Sequence, residues 1–284
     1  MDTNQNRIQS VVQRPGASLV VASFVIAAIV TLASLLGLLA PWPYQEETEN
    51  WVLQARGQDI GNLLAVVVLT VGAIRMRAGS LRATLLWVGA LFYLLYAYIV
   101  YAFAVHFGRL FLVYVAILGL VFYTLIAALA TSARPSIYPR GATRVFAAWV
   151  PIGTGVLFAL LWLSEIIPAT ISEEAPPSLE LAGLIVNPIH VIDLAVVLPG
   201  MIIIGALALR GNETGLFLIV PTLVFSVLMG SSIIAAMALI VASGDTSVLV
   251  PMVMVSVVVG ASLAAATVYA RRVAGLPRPP ATNQ

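Results

Sequence analysis

Long apolar runs alternate with short polar segments along the whole chain. Eight runs are apparent, and all but the second approach or exceed the roughly 20 residues that a helix needs to cross a bilayer. The runs cover residues 17–40, 61–74, 83–105, 110–131, 145–167, 189–209, 215–243 and 247–270. Because the run at 61–74 is short, a bundle of seven spans is the alternative. The pattern predicts an all-α fold, a polytopic transmembrane helical bundle of about eight spans.

The composition leads to the same class of protein. Of the 284 residues, 61% are hydrophobic and only 9% are charged, whereas about 25% of the residues in a soluble domain carry a charge. The chain therefore has too few charges to cover a soluble surface of its size. This excludes a soluble enzyme and a DNA-binding domain, so we expect the lipid bilayer as a partner and no nucleic acid.

The positions of the charged residues predict an orientation. With the N-terminus in the cytoplasm, twelve of the fourteen arginines lie inside, and ten of the twelve acidic residues lie outside or at outer helix ends. Cytoplasmic loops of membrane proteins carry such an excess of positive charge. The sequence thus predicts a multi-pass protein of the cell membrane, with a transmembrane domain at 17–272 and cytoplasmic tails at 1–16 and 273–284.

Connection lengths repeat in the two halves of the chain, as a long outer, a short inner and a short outer connection. At an offset of 127 residues, Pro41 aligns with Pro168, and Glu46-Glu47 aligns with Glu173-Glu174. A parallel four-plus-four pseudo-repeat explains this, since a unit with an even number of spans returns to the same side of the membrane. Coincidence is the alternative explanation, because prolines end helices and outer loops are acidic.

Two residue types are absent, and this limits the chemistry. The chain has no cysteine and no lysine, and its two histidines are His106 and His190. Disulfides, thiolate metal sites and lysine Schiff bases are thereby excluded. A zinc site would need carboxylate or water ligands in addition to histidine. The sequence identifies no cofactor.

Polar residues concentrate at the predicted outer ends of the helices. They precede helix two, form the turn between helices three and four, end helix five and open helix six. A charge at mid-membrane costs roughly 2.5–3.5 kcal/mol on insertion scales, and no span is predicted to carry one there. The outer residues are therefore the candidate ligand-binding set: Arg56, Asp59, His106, Arg109, Glu165, Asn187, His190 and Asp193.

The start of helix six is the most specific of these features. Asn187 suits the N-cap and Pro188 the first helical position, with His190 third, where its own N–H is able to bond the Asn187 side chain. Asp193 follows three residues later on nearly the same face. Such a pair can orient an imidazole, bind a metal or hold a ligand. The alternative is structural, with Asp193 anchoring the turn or pairing with Arg56 or Arg109.

Aromatic residues are predicted to have structural roles. The tyrosines of helix three spread over more than half of its circumference, which favours core packing over a ligand-lining stripe; they are Tyr93, Tyr96, Tyr98 and Tyr101. Tryptophans near the outer helix ends are predicted to form an interfacial belt; they are Trp42, Trp51 and Trp162.

Three classes of function remain open. The favoured class is binding or transport of a small molecule or ion through the polar site at the extracytoplasmic helix ends. The second is a membrane-embedded, metal-dependent enzyme, although two histidines without cysteine provide few metal ligands and no nucleophile motif is present. The third is a structural or accessory membrane subunit. The sequence leans against catalysis and does not identify a substrate.

Three motifs resemble a group of uncharacterised prokaryotic polytopic integral membrane proteins, to which no activity is assigned. They are Trp51-Val-Leu-Gln-Ala-Arg-Gly-Gln-Asp59, His106-Phe-Gly-Arg109, and Asn187-Pro-Ile-His-Val-Ile-Asp193 leading into Leu198-Pro199. The resemblance covers most of the chain and implies a membrane fold without implying a chemistry. Two better-understood families are not similar enough. Membrane CAAX-type proteases differ because the paired acids of this chain lie in an outer loop without an arginine partner. Microbial rhodopsins differ because this chain has no lysine.

The arginine distribution generates a prediction about topology. Reporter fusions at residues 45 and 284 should report the outside and the inside of the cell, respectively, because an even number of spans returns the chain to the cytoplasm. Two reporters on the same side of the membrane would contradict the eight-span topology.

Overall fold

A computed structural model of the protein describes residues 16–132, 134–135 and 137–273. Eight helices in it are long and apolar enough to cross a membrane, which confirms the predicted all-α bundle of about eight spans. The tails predicted at 1–16 and 273–284 lie, apart from one residue each, outside the described residues. We number the spans α1 (Ala17–Leu39), α2 (Glu49–Arg77), α3 (Leu81–Ala104), α4 (Phe111–Thr131), α5 (Ala142–Ser172), α6 (Pro188–Leu209), α7 (Glu213–Ala242) and α8 (Leu249–Arg272).

The second span differs most from its prediction. It begins at Glu49 rather than near residue 61, and the side chain of its N-cap Thr48 accepts a hydrogen bond from the Trp51 backbone N–H at 3.2 Å. The prediction of a loop up to residue 60 is therefore wrong from Glu49 onward, and Arg56 and Asp59 lie within α2 instead of preceding it. The polar side chains predict a loop here, but they lie on a helix, where Asp59 is buried and Gln54, Arg56 and Gln58 are half-buried.

Helix α5 also extends further than predicted. It continues through Pro168 to Ser172 and ends where Glu173 adopts a left-handed conformation with φ 58°. Proline removes one backbone hydrogen bond, which is tolerated close to a helix end. A short helix, Pro177–Ala182, then lies in the connection to α6. Glu165 is consequently almost two turns from the end of α5 rather than at its end.

Span α6 is not a continuous α-helix. Its first turn, Pro188–Ile192, and its last part, Leu198–Leu209, are α-helical, and Asp193–Val197 between them forms a π-turn. The Leu198 N–H donates to the Asp193 carbonyl, five residues earlier. Pro199 follows directly. Proline has no backbone N–H to donate, and in a regular α-helix its ring clashes with the carbonyl four residues earlier. A π-turn widens the helix and is common at functional sites.

The two halves of the chain have the same order of neighbouring helices. In the first half, α1 packs against α2, α2 against α3, α3 against α4, and α4 returns to α1; in the second half, α5 to α8 form the same ring. This order is what the duplication hypothesis requires. The aligned prolines are not equivalent, however, since Pro41 precedes the short 3-10 helix Trp42–Tyr44 and Pro168 lies inside α5. Duplication stays a hypothesis.

The halves are joined asymmetrically. Helix α7 packs extensively against both α2 and α3, whereas α6 approaches α3 mainly through its first turn, Pro188–Ile192. The α2–α7 contact uses small residues: a Cβ at Gly57 would overlap the backbone of Ala236, and one at Gly61 would overlap the Ser232 side chain. The spacing of the two glycines is the GxxxG spacing that allows membrane helices to approach closely.

The bundle has two chemically different ends. At one end, which we call the arginine face, the helix ends interact through arginines, as when the Arg82 side chain donates to the Arg271 carbonyl at 2.8 Å. The opposite end holds the glutamates that flank α2 and follow α5, and we call it the acidic face. Between them, large apolar side chains remain exposed on the outer helices, Leu32, Leu112, Leu160 and Val257 among them, and this surface contacts the lipid.

The tight α2–α7 contact predicts opposite effects for two glycine substitutions. Gly57→Ala should lower the midpoint of thermal unfolding in detergent, because separating two packed helices to admit a methyl group costs about 1–3 kcal/mol. Gly119→Ala in α4 is the matched control, since nothing lies within 4 Å of a Cβ there and alanine favours a helix by about 1 kcal/mol over glycine. Equal effects of the two substitutions would contradict the close approach.

Candidate functional site

Asp59 is enclosed within the first half of the bundle, with only 2% of its surface exposed. The Tyr44 hydroxyl donates to its Oδ2 atom at 2.7 Å, and the Tyr101 hydroxyl donates to its Oδ1 atom at 2.9 Å. Gly37 of α1 leaves the space that the carboxylate occupies, since a Cβ at that position would overlap Oδ2. Both oxygens thus have a donor, and the group is part of the packed core.

Tyr44 is the one donor to Asp59 that lies outside the spans. Burial is the main cause that raises the pKa of the Tyr44 hydroxyl well above its ordinary value, and the Asp59 carboxylate raises it further. The hydroxyl therefore keeps its proton at physiological pH and stays a donor. The rings of Tyr98, Tyr101 and Tyr114 pack around the same region at centroid distances of 5.0–6.2 Å. Tyr98 is fully buried, as the predicted core role requires, whereas Tyr101 also lines a cavity.

Asp193 occupies a different environment in the second half. It begins the π-turn of α6, has 8% of its surface exposed, and faces the bundle interior. The indole N–H of Trp162 on α5 donates to its Oδ2 atom at 2.8 Å, and the Tyr96 hydroxyl of α3 approaches the same carboxyl group. The structural alternative of an ion pair with Arg56 or Arg109 is wrong: within the described chain Asp193 forms no salt bridge.

Trp162 links His190 to Asp193. Its ring packs against the His190 imidazole at a centroid distance of 4.7 Å, while its N–H bonds Asp193. Asn187 caps α6 as predicted, although its side chain accepts from the Ile189 N–H at 3.0 Å rather than from that of His190. Sequence reasoning assigned Trp162 to an interfacial belt and missed this role, because nothing along the chain indicates that α5 faces the first turns of α6.

A cavity of about 410 Å³ lies between the two halves, and we call it the interhalf cavity. It extends from residues near the acidic face, such as Asn50 and Leu181, down to Ser226 near the middle of α7. Its walls are mainly apolar and aromatic. Of the eight predicted site residues, Asp193 lines it. The cavity lies on the side where α6 stands away from α3.

Glutamine side chains of α2 add polar groups to the cavity wall. Gln54 and Gln58 line it one helical turn apart, and the Gln58 amide donates to the Tyr93 hydroxyl at 2.6 Å. The Ser232 hydroxyl lies 3.3 Å from the Gln58 side-chain oxygen. Neither glutamine is in the predicted ligand-binding set, because the predicted second span begins only at residue 61 and leaves both outside a helix. Their four-residue spacing places them on one face of a helix once the start of α2 is known.

The other predicted residues lie in separate places on the acidic side. The His106 Nδ1 atom lies 3.0 Å from a carboxylate oxygen of Glu47, and the His106 backbone N–H donates to the same carboxylate at 2.7 Å. Arg109 lies over the Trp42 ring at 5.5 Å. Glu165 accepts from the Ser178 N–H at 3.3 Å. These contacts fix the connections α1–α2, α3–α4 and α5–α6, so they have structural explanations.

The predicted set therefore does not converge on one cavity. Asn187 and His190 line a second hollow of about 540 Å³ between α5 and α6, Asp193 lines the interhalf cavity, and Asp59 is enclosed in the core. Arg56 is half-buried in α2, and its Nε atom has no hydrogen-bond partner among the described residues. Over the same part of the chain, no group of three histidine or acidic side chains is arranged to hold a metal.

No protein-family model, curated protein or solved structure matches the chain. The resemblance to a prokaryotic membrane-protein group thus stays a prediction, and the functional argument depends on the geometry of the two aspartates and the interhalf cavity.

The hydrogen bonds of Asp59 predict a structural role for its tyrosines. Tyr101→Phe should lower the free energy of unfolding by about 1–3 kcal/mol, because the buried carboxylate loses one of its two tyrosine donors. Tyr123→Phe is the matched control, since that residue is 71% exposed. Both variants are compared by thermal unfolding in the same detergent. An unchanged midpoint for Tyr101→Phe would show that the carboxylate does not depend on this bond.

Proposed function

We propose that the protein binds a small amphipathic molecule in the interhalf cavity, which the molecule reaches from the acidic face. One observation carries the proposal: an apolar, aromatic-lined cavity of about 410 Å³ contains a buried carboxyl group, that of Asp193, with no salt-bridge partner in the described chain. Small-molecule sites typically have volumes of 300–1,000 Å³, apolar walls and a few placed polar groups.

The contrast between the two aspartates supports this choice of site. Asp59 is the more buried of the two, but it receives two tyrosine hydrogen bonds and does not line the interhalf cavity. Asp193 lines the cavity and is held by the Trp162 indole. A carboxylate has about four acceptor sites, so Asp193 keeps hydrogen-bonding capacity for a bound molecule beside the donors Trp162 and Tyr96. A polar group that faces a cavity in this way is able to orient a ligand.

The proposal includes the orientation predicted from the arginines. The arginine face would lie in the cytoplasm together with both termini, and the acidic face would lie outside the cell membrane. The cavity would then receive its ligand from the extracytoplasmic side. Glutamates near this face, such as Glu47 and Glu49, would favour the approach of positively charged molecules over anions.

Transport is a second candidate, favoured by the irregular structure of α6. The π-turn Asp193–Val197 and Pro199 lie next to the aspartate that lines the cavity. Interruptions of this kind provide bending points in membrane helices. Bending of α6 would move Asp193 relative to α3, and flux of a bound probe across proteoliposomes would distinguish transport from binding alone.

Occupancy of the cavity is tested with a neutral fluorescent probe, dansylamide. Saturable energy transfer from tryptophan to dansylamide is expected in protein reconstituted in nanodiscs. Ser226→Phe should weaken this binding by about tenfold or more, equivalent to about 1.4 kcal/mol, because Ser226 lines the cavity and is 6% exposed. The phenyl ring would occupy the space of the probe.

Ser256→Phe is the matched control for this experiment. Both serines bond a carbonyl four residues earlier in their own helix, at 3.0 Å for Ser226 and 2.7 Å for Ser256, but Ser256 is exposed on α8 and does not line the cavity. Its substitution should leave binding unchanged. Absence of saturable binding in the wild-type protein, or equal binding in both variants, would overturn the proposal.

A further inference from the structure

We propose that the ligand of the interhalf cavity is a hydrophobic organic cation, such as an aromatic or quaternary amine, with Asp193 as its counter-ion. This inference rests on the proposed function and specifies its ligand class. The charge of the lining favours a cation. Asp193 contributes a carboxyl group, whereas no arginine or histidine of the described residues lines the cavity. An anionic ligand would find no cationic side chain in the cavity walls.

The second argument is the cost of burying the Asp193 carboxyl group. An ionised carboxylate in an apolar membrane interior is unfavourable unless it is paired. Trp162 and Tyr96 supply hydrogen-bond donors but no positive charge. A bound cation would supply the missing charge inside the cavity.

The third argument is the aromatic content of the lining. A cation is attracted to the face of an aromatic ring within about 6 Å, and aromatic cages are the usual means of recognising quaternary ammonium groups. Some of the rings already pack against one another, as Tyr96 does against Phe225 at 5.7 Å. Six aromatic side chains line the cavity: Trp51, Tyr96, Tyr101, Phe158, Trp162 and Phe225.

The same lining explains why an inorganic ion is not the expected ligand. Hard cations such as Na⁺ and Ca²⁺ require several oxygen ligands at short range, and the cavity walls are mainly carbon. Within the part of the chain that the structure describes, Asp193 is the single acidic side chain in the lining. The combination of one carboxylate with aromatic and aliphatic walls matches an organic cation, whose charge is spread over an apolar body.

The test compares three probes of similar size that differ in charge. Phenyltrimethylammonium is the cation, tert-butylbenzene is its neutral isostere, and benzenesulfonate is the anion; each competes with dansylamide for the protein in nanodiscs. In the wild-type protein, the cation should displace dansylamide about tenfold or more better than either of the other two. Equal displacement by the cation and the neutral isostere, with saturable dansylamide binding, would overturn the cation inference and leave the proposed function standing.

Substitution of each aspartate tests which carboxyl group causes the preference for the cation over its neutral isostere. Asp193→Asn should remove most of the advantage of the cation over its isostere while dansylamide binding persists, and Asp193→Glu should retain part of it. Asp59→Asn is the matched control, because that residue is buried outside the cavity, and it should keep the preference for the cation. Loss of the preference in Asp59→Asn but not in Asp193→Asn would contradict the assignment.

The preference for the cation is tested even if Asp193→Asn does not fold. The comparison of the three probes uses only the wild-type protein, so it tests the preference for the cation without any substitution. Asp193→Glu keeps the negative charge and provides a second variant, which should keep the order of the three probes. If dansylamide shows no saturable binding to the wild-type protein, both the proposed function and the cation inference fail together.

Discussion

The close antiparallel approach of α2 and α7 determines how the two halves of the bundle fit together. Apolar side chains gain little from leaving lipid, so membrane helices associate through close packing of small residues. Gly57 and Gly61 provide that packing against Ala236 and Ser232. Helix α7 packs against both α2 and α3, whereas α6 approaches α3 mainly through its first turn. The interhalf cavity lies between the halves, with residues of α2, α3, α6 and α7 in its wall.

The two buried aspartates show how one residue type acquires different roles from its neighbours. The hydroxyls of Tyr44 and Tyr101 donate to Asp59, and Gly37 of α1 leaves the space that the carboxylate occupies. That arrangement leaves the carboxylate satisfied and shielded. Asp193 sits at a helix irregularity beside a cavity, with an indole as its donor. Both groups are buried, but only the second lines the interhalf cavity.

The number and class of the helices could be predicted because hydrophobicity along a membrane span depends on local sequence alone. The start of α2 could not, because Gln54, Arg56 and Asp59 look like a loop until the helices that bury them are known. The N-cap at Asn187 was predictable for the same local reason, and it is confirmed. The partner of Asp193 was not, because the choice between Trp162 and an arginine depends on how α5 and α6 rotate against each other. The predicted site residues were expected to lie at a similar depth in the membrane and therefore close together. The packing order of the helices separates them laterally.

The π-turn in α6 fixes a rotational offset between the two parts of that span. An α-helix advances about 100° per residue, so the one extra residue of a π-turn rotates the first turn of α6 by that angle relative to Leu198–Leu209. The later part can therefore keep Gly205 against Ile152 of α5 while the earlier part directs Asp193 into the cavity. Loss of a single residue from this segment would restore regular α-helical phase and turn Asp193 away from the cavity wall. The position of the carboxylate is thus encoded in the length of the helix as well as in the identity of the residue.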